Sequence, residues 1–87
     1  MTRDEIRALT LEKLLQVAPD IDPQQLEAKT PIRDQYDFDS MDFLNFAIAV
    51  GREFQLDIPE QDYNKLQSLD DTVDYLQQRI GGSASGE

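Results

Sequence analysis

The residues with the clearest potential for chemistry lie at positions 37–42, where three aspartates surround one serine, Ser40. Asp39 is a good N-cap, because its carboxylate can accept a hydrogen bond from the free N–H groups of a first helical turn. Ser40 then occupies the first helical position and Asp42 the third, where a negative charge suits the positive end of the helix dipole. We therefore expect the Ser40 hydroxyl to point outward from the start of a helix, where another molecule can reach it.

A calcium-binding loop is a second site that this run of aspartates suggests. However, Met41 lies where such a loop needs an oxygen ligand, and the glycine that the loop requires is absent. We therefore expect no metal site in this chain.

The composition limits the chemistry that the chain can perform alone. Eighty-seven residues form one domain, close to the lower limit for a self-sufficient core. The chain has no cysteine, which excludes a disulfide and a thiolate metal site. It also has no histidine, the commonest general base at neutral pH.

The charge and hydropathy of the chain point to the kind of partner it can have. Eighteen acidic and eight basic residues give a net charge of −10, so nucleic acid is not an expected partner, whereas proteins with basic patches are. A simpler interpretation is that the charge only keeps a small protein soluble. No apolar run approaches the roughly 20 residues that cross a bilayer, and no signal peptide is evident. We expect no membrane insertion and a cytosolic location.

Apolar spacing predicts an all-α fold, a small antiparallel four-helix bundle with three main helices and one short helix. A long loop connects the first two helices and is expected to contain a short helical turn at residues 23–28, with Leu26 facing inward. Residues 1–80 are expected to form the domain, and residues 81–87 a flexible tail. The four helices are predicted at residues 4–17, 40–54, 60–66 and 69–80.

Polar residues predict where the first and last of these helices begin. Thr2 followed by Glu5 predicts a capping box at the first helix. Ser68 followed by Asp71 marks the start of the fourth.

The second helix carries two apolar faces. One follows i, i+3, i+4, i+7, i+11 spacing and predicts the core face; its members are Phe43, Phe46, Ala47, Val50 and Phe54. The other consists of Met41, Leu44 and Ile48, which we call the docking stripe. Because full burial of a helix is hard to achieve in so small a domain, we interpret the docking stripe as a recognition surface.

The segment Asp39-Ser40-Met41-Asp42, followed by an apolar helix, resembles the attachment motif of the acyl carrier proteins. The resemblance extends over about 70 residues by helix order as well as by motif. Further matching segments are Thr30-Pro31-Ile32, Glu53-Phe54, Asp57-Ile58-Pro59 and Asp74-Tyr75-Leu76.

The resemblance implies a function and a set of site residues. It implies that Ser40 carries a 4′-phosphopantetheine arm from coenzyme A, with Asp39 and Met41 beside it, and that the protein is a monomeric carrier of acyl thioesters rather than an enzyme. The implied partners are a phosphopantetheinyl transferase and acyl-loading and acyl-transfer enzymes with basic docking faces, in fatty acid, polyketide or related acyl metabolism. The predicted partner-binding residues are Asp39, Met41, Asp42, Leu44, Asn45 and Ile48.

The acyl chain is expected between the second and third helices, as in the family. The residues predicted to line that cavity are Phe43, Phe46, Ala47, Ile58, Tyr63 and Leu66. Phe43 and Tyr63 are bulkier than the small residues often found in the family at these positions. We therefore predict a specialised carrier with a narrow or shallow cavity, suited to short or polar acyl groups.

Two other functions remain open from the sequence. An aminoacyl or peptidyl carrier would share the mechanism, but that branch usually has Gly-Gly before the motif, where this chain has Asp37-Phe38. An unmodified acidic interaction module would use the docking stripe without a prosthetic group.

Overall fold

A computed structural model of the chain describes residues 2–85, with the side chains of residues 2–80. The helices are α1 (Arg3–Val17), α2 (Ile32–Gln35), α3 (Ser40–Glu53), a 3₁₀ helix (Glu60–Leu66) and α4 (Leu69–Ser85). Between residues 2 and 85 no strand occurs, and the predicted all-α bundle is confirmed. The predicted short third helix is a 3₁₀ helix, and α2 is a fifth helical segment that the apolar spacing did not predict.

The caps of the main helices form as predicted. At α1 the Thr2 side chain accepts the Glu5 N–H, and the Glu5 carboxylate accepts the Thr2 N–H in return at 2.8 Å. The hydrogen bond from the Thr2 backbone lowers the pKa of Glu5. At α4 the Ser68 hydroxyl accepts the Asp71 N–H at 3.0 Å.

The loop between α1 and α3 differs from its prediction. The helical turn predicted at residues 23–28 forms only in part, since the Leu26 N–H donates to the Asp22 carbonyl at 3.0 Å but residues 26–28 do not continue the turn. Leu26 packs against the core, as predicted. The Gln35 side chain makes hydrogen bonds that backbone groups would make in a helix. It accepts the Glu27 N–H and donates to the Glu27 and Thr30 carbonyls, all within 2.8 Å. The helical segment of this loop is instead α2, whose Ile32 side chain is buried.

The last helix is longer than predicted. The backbone of residues 81–85 continues α4, whereas the prediction ended this helix at Ile80 and assigned 81–87 to a flexible tail. Gly81 and Gly82 lower helix propensity by about 1 kcal/mol each relative to alanine, but they do not prevent helical backbone angles. Residues 86–87 lie outside the described residues, and the flexibility of the tail stays a prediction.

The core forms where α1 packs against both α3 and α4, and α4 also packs against the 3₁₀ helix. Buried apolar side chains from these elements fill it: Ile6, Leu14, Phe46, Val50, Leu66, Val73 and Leu76. Two buried threonines, Thr10 and Thr72, donate their hydroxyl protons to the carbonyls of Ile6 and Ser68 at 2.7 and 2.8 Å. For residues 2–80, no buried polar side-chain atom lacks a hydrogen-bond partner.

Candidate functional site

Ser40 is the first residue of α3 and is exposed. Asp39 holds this helix start, since its carboxylate accepts the Asp42 N–H and its carbonyl accepts the Phe43 N–H, both at 2.9 Å. The predicted helix start, with Asp39 as cap, is therefore confirmed. The Ser40 hydroxyl is accessible at the start of α3, and the Asp39 cap fixes that helix start.

The buried face of α3 anchors the site to the core. Phe46, Ala47 and Val50 are at most 1% exposed, and Phe43 is half-buried one turn nearer the helix start. A helix with three fully buried side chains cannot slide without opening a cavity. Ser40 therefore has a fixed position relative to the rest of the bundle.

The docking stripe lies on the other side of α3. Met41 is 62% exposed and Ile48 45% exposed, and Leu44 between them is half-buried. Among the neighbouring residues that the sequence predicted for partner binding, Asn45 is exposed and Asp42 half-exposed. The structure thus leaves an apolar strip with a polar rim beginning beside Ser40.

A cavity of about 280 Å³ opens directly beside Ser40. Ser40 and Asp39 form part of its lining, and four further residues complete it: Arg33, Phe38, Phe43 and Gln67. Neither Arg33 nor Gln67 is among the site residues predicted from the sequence. A hydrogen bond of 2.9 Å from the Ile32 N–H to the Gln67 carbonyl joins these two distant segments, and no periodicity in the sequence indicates such a contact.

Four aromatic rings contact one another in an unbroken series that we call the aromatic wall, and two of them, Phe38 and Phe43, line this cavity. Phe38 packs edge-on against Phe43 and Phe46, with ring centres 6.5 and 6.2 Å apart, and Phe43 packs edge-on against Tyr63 at 6.2 Å. Edge-to-face pairs at such distances contribute about 0.5–1.5 kcal/mol beyond the burial of their surface. The wall is therefore a stable part of the fold.

A second cavity, of about 310 Å³, lies near the end of α3, with Ala47, Ile58 and Tyr63 in its lining. The six residues predicted to line one acyl cavity are thus distributed over three places. Phe43 lines the cavity at Ser40, three residues line the second cavity, and Phe46 and Leu66 line neither and are fully buried in the core. The Phe43–Tyr63 ring contact joins a residue of one cavity to a residue of the other.

The 3₁₀ helix that carries Tyr63 is attached to α4 through Tyr75. The Tyr75 hydroxyl donates to the Asp62 carboxylate at 2.7 Å and accepts a hydrogen bond from the Arg79 guanidinium at 2.6 Å. Burial, followed by the hydrogen bond to Asp62, raises the pKa of Tyr75. This network holds Asp62, and with it the neighbouring Tyr63, against the bundle.

Neither a metal cluster nor a membrane-spanning helix is found in the described part of the chain. No group of three or more acidic, cysteine or histidine side chains there could hold a metal ion. No helix there is long and apolar enough to cross a bilayer.

Comparisons with known proteins agree with this geometry. The family profile described as "Phosphopantetheine attachment site" matches residues 9–76. An acyl carrier protein of Bdellovibrio bacteriovorus is 32% identical over 68% of this chain and 76% of its own length, and one of Campylobacter jejuni (strain RM1221) is 31% identical over 86% and 91%. The solution structure of a candidate acyl carrier protein from Anaplasma phagocytophilum superposes with a TM-score of 0.79, with 26% identity and coverage of 91% of this chain and 92% of that one.

The matched region includes Ser40, its cap and the whole of α3. Proteins with this domain carry 4′-phosphopantetheine as a covalently attached cofactor. Both the profile match and the relatives extend over most of the chain, and the fold of the solved structure is the same. The chain therefore belongs to the acyl carrier protein family.

Proposed function

We propose that this chain carries acyl groups as thioesters on a 4′-phosphopantetheine arm attached to the Oγ of Ser40, and that it has no catalytic activity of its own. The observation that carries the proposal is the exposed Ser40 at the capped start of α3, within the residues that match the attachment-site profile. The arm supplies a thiol, which a chain without cysteine lacks. The family's cofactor fits this position, because the hydroxyl is accessible and a cavity lies beside it.

Intact-mass measurement tests this attachment. The protein is incubated with coenzyme A and a phosphopantetheinyl transferase of broad specificity, and the wild type should gain the mass of one arm while Ser40→Ala gains none. If the wild type remains unmodified with several transferases, the carrier function is wrong and an unmodified interaction module is favoured. Equal loading of Ser40→Ala would contradict Ser40 as the attachment point.

The docking stripe and the acidic residues beside it, Asp39 and Asp42, support transient binding of partner enzymes. Met41 and Ile48 offer apolar contact, while Asp39 and Asp42 attract basic faces. A patch of this size suits weak, short-lived complexes, as a carrier needs because each partner must release it. The cytosolic location and the monomeric state stay predictions.

Two positions on α3 favour partners that differ from those of a housekeeping synthase. Members of the family that serve fatty acid synthesis usually have acidic residues along this helix, where this chain has Asn45, Gly51 and Arg52. Asn45 and Arg52 are exposed, whereas Gly51 is buried, so only the first two change the surface that a partner meets.

The aromatic wall supports a short or polar acyl cargo. A long acyl chain entering from Ser40 must displace the Phe43–Tyr63 contact, because Phe46 and Leu66 fill the core behind it. Displacing packed aromatic rings has a cost, and that cost offsets the gain from burying further methylene groups. Short acyl groups need no such displacement.

Thermal unfolding of defined acyl forms tests this cargo class. In the wild type, Tm should rise on loading with a short acyl group and should rise less on loading with a long one. Tyr63→Ala removes the Phe43–Tyr63 ring contact, so loading with a long acyl chain should then raise the Tm of the variant. The control Phe54→Ala removes a half-buried ring that lines neither described cavity, and it should leave the chain-length dependence unchanged. Equal stabilisation of the wild type by short and long chains would contradict the proposed cargo.

A further inference from the structure

Among the side chains of residues 2–80, Arg33 is the one cation in the lining of the cavity beside Ser40. Its backbone is held in place on both sides. Ile32 is buried and donates its N–H to the Gln67 carbonyl at 2.9 Å, and Gln35 is fixed by its hydrogen bonds to Glu27 and Thr30. The fold therefore keeps an arginine at the cavity that Ser40 shares.

The Arg33 side chain makes no contact that would give it a role in stabilising the fold. Arg3, Lys13 and Lys65 each pair with a carboxylate: Asp74 at 2.7 Å, Glu53 at 3.0 Å and Asp62 at 3.7 Å, respectively. Arg33 is exposed and forms neither an ion pair nor a hydrogen bond with any side chain or backbone group between residues 2 and 80. Its guanidinium is available for an anion that comes to the cavity.

The charge around Ser40 shows why such a cation is needed. The Asp39 and Asp42 carboxylates lie at the start of α3, and the Asp39 carboxylate already accepts the Asp42 N–H. The positive end of the helix dipole is therefore compensated before any group is attached to Ser40. A phosphodiester on the Ser40 Oγ adds a third negative charge, and repulsion between like charges at such short range is unfavourable unless a cation is close.

We propose that Arg33 binds the phosphodiester that joins the prosthetic arm to Ser40. The proposal rests on the proposed function, since it needs the arm on Ser40. A guanidinium pairs with two phosphate oxygens at once, which gives orientation as well as attraction. Gln67, half-buried in the same lining, has a side-chain amide that can donate a further hydrogen bond. Arg33 is thus a positioning residue that restricts the first torsions of the arm and so directs its departure from the surface.

NMR of the loaded protein tests the proposal without any partner enzyme. The readouts are the ³¹P resonance of the phosphodiester and the Nε–H signals of the arginines, compared before and after loading. In the wild type, loading should shift the Arg33 Nε–H signal. In Arg33→Gln, the ³¹P resonance should move toward its position in the urea-unfolded loaded protein, and Arg33→Lys should lie between the two.

The matched control is Arg52→Gln, because Arg52 is also exposed and lines a different cavity. Its ³¹P resonance should equal that of the wild type, and the Arg52 Nε–H signal should not respond to loading. The difference between wild type and Arg33→Gln should shrink at about 1 M NaCl, where the screening length falls to roughly 3 Å.

The outcomes separate this inference from the function on which it rests. A wild type that takes up no arm overturns both. A loaded wild type in which the Arg33 Nε–H signal does not move, with the same ³¹P resonance in Arg33→Gln, overturns the phosphate contact and leaves the carrier function standing. If Arg33→Gln does not fold, the response of the Arg33 signal in the wild type decides the question alone.

Discussion

Asp39 determines where Ser40 lies, because both its side chain and its carbonyl accept hydrogen bonds from the first turn of α3. The rule behind this is local, so the sequence alone was sufficient to predict Asp39 as the cap, Ser40 at the first helical position and Asp42 at the third. Arg33 and Gln67 depend instead on a contact between distant parts of the chain, and their types and spacing carry no signal of it.

Replacing the cap tests this account of Asp39. Asp39→Ala should lower the free energy of unfolding by about 0.5–2 kcal/mol, because the Asp42 N–H loses its partner. Asp39→Asn keeps a side-chain oxygen and should retain most of that stability. Urea denaturation followed by circular dichroism measures both. An Asp39→Ala variant as stable as the wild type would contradict the cap.

Tyr75 makes the free energy of unfolding depend on pH in the alkaline range. Burial raises its pKa, so the folded state holds the phenolic proton more tightly than the unfolded state does. The resulting stability is complete below the unfolded-state pKa, about 10, and is lost as the pH rises through the folded-state pKa. The wild-type free energy of unfolding should therefore decline above about pH 10.

Tyr75→Phe identifies the source of that decline. The variant loses the hydrogen bonds to Asp62 and Arg79 and should be less stable at neutral pH. It also has no phenol to titrate, so its stability should fall less steeply above about pH 10. Urea titrations below and above this pH compare the slopes. Identical slopes in the two proteins would show that another group is responsible.

Among the elements, α1, α3 and α4 follow directly from apolar spacing and from the caps at Thr2, Asp39 and Ser68. Two tertiary contacts explain how the first loop differs from its prediction. The side chain of Gln35 satisfies the backbone of residues 27–30, and burial of Ile32 draws α2 onto the core. Tertiary contacts decide such short segments, whereas propensity alone does not.

The end of α3 shows how packing can override propensity. Gly51 is buried, and its carbonyl accepts the Leu56 N–H at 2.8 Å. A Cβ at this position would lie 3.0 Å from the Leu56 carbonyl oxygen, which is backbone and cannot easily move. Gly51→Ala should therefore not give the gain of about 1 kcal/mol expected for this change in an exposed helix, and should destabilise the protein instead.

A substitution at the same junction should have the opposite effect. Gln55, just after α3, has a φ of 55°, a left-handed conformation that glycine adopts with less strain. Gln55→Gly should therefore raise Tm while Gly51→Ala lowers it. The reverse order of the two melting temperatures would contradict this description of the junction.

At the scale of the whole molecule, the net charge of −10 acts on both stability and binding. Like charges repel one another more strongly in the compact state than in the unfolded chain. The charge balance and the exposure of Met41 and Ile48 could both be predicted from the sequence, because they follow from residue types and helical spacing. The sequence could not show how the aromatic rings divide the space near Ser40, which depends on the relative positions of α3 and the 3₁₀ helix.

Salt should stabilise the fold through this charge. Raising NaCl from about 20 mM to about 0.15 M shortens the screening length to roughly 8 Å and weakens the repulsion between surface carboxylates. We expect Tm to rise over this range and then to level off, measured by differential scanning calorimetry. A Tm that falls would mean that the surface ion pairs, such as Arg3–Asp74, outweigh the repulsion.

The most direct test of the central claim locates the prosthetic arm within the chain. The wild-type protein is loaded with a phosphopantetheinyl transferase and coenzyme A, cleaved into peptides and sequenced by tandem mass spectrometry. The chain offers four serines, Ser40, Ser68, Ser83 and Ser85, so the result is discriminating. We predict the arm on Ser40 and on no other residue. An arm on any of the other three serines, or no arm at all, would contradict the assignment of Ser40 as the attachment point.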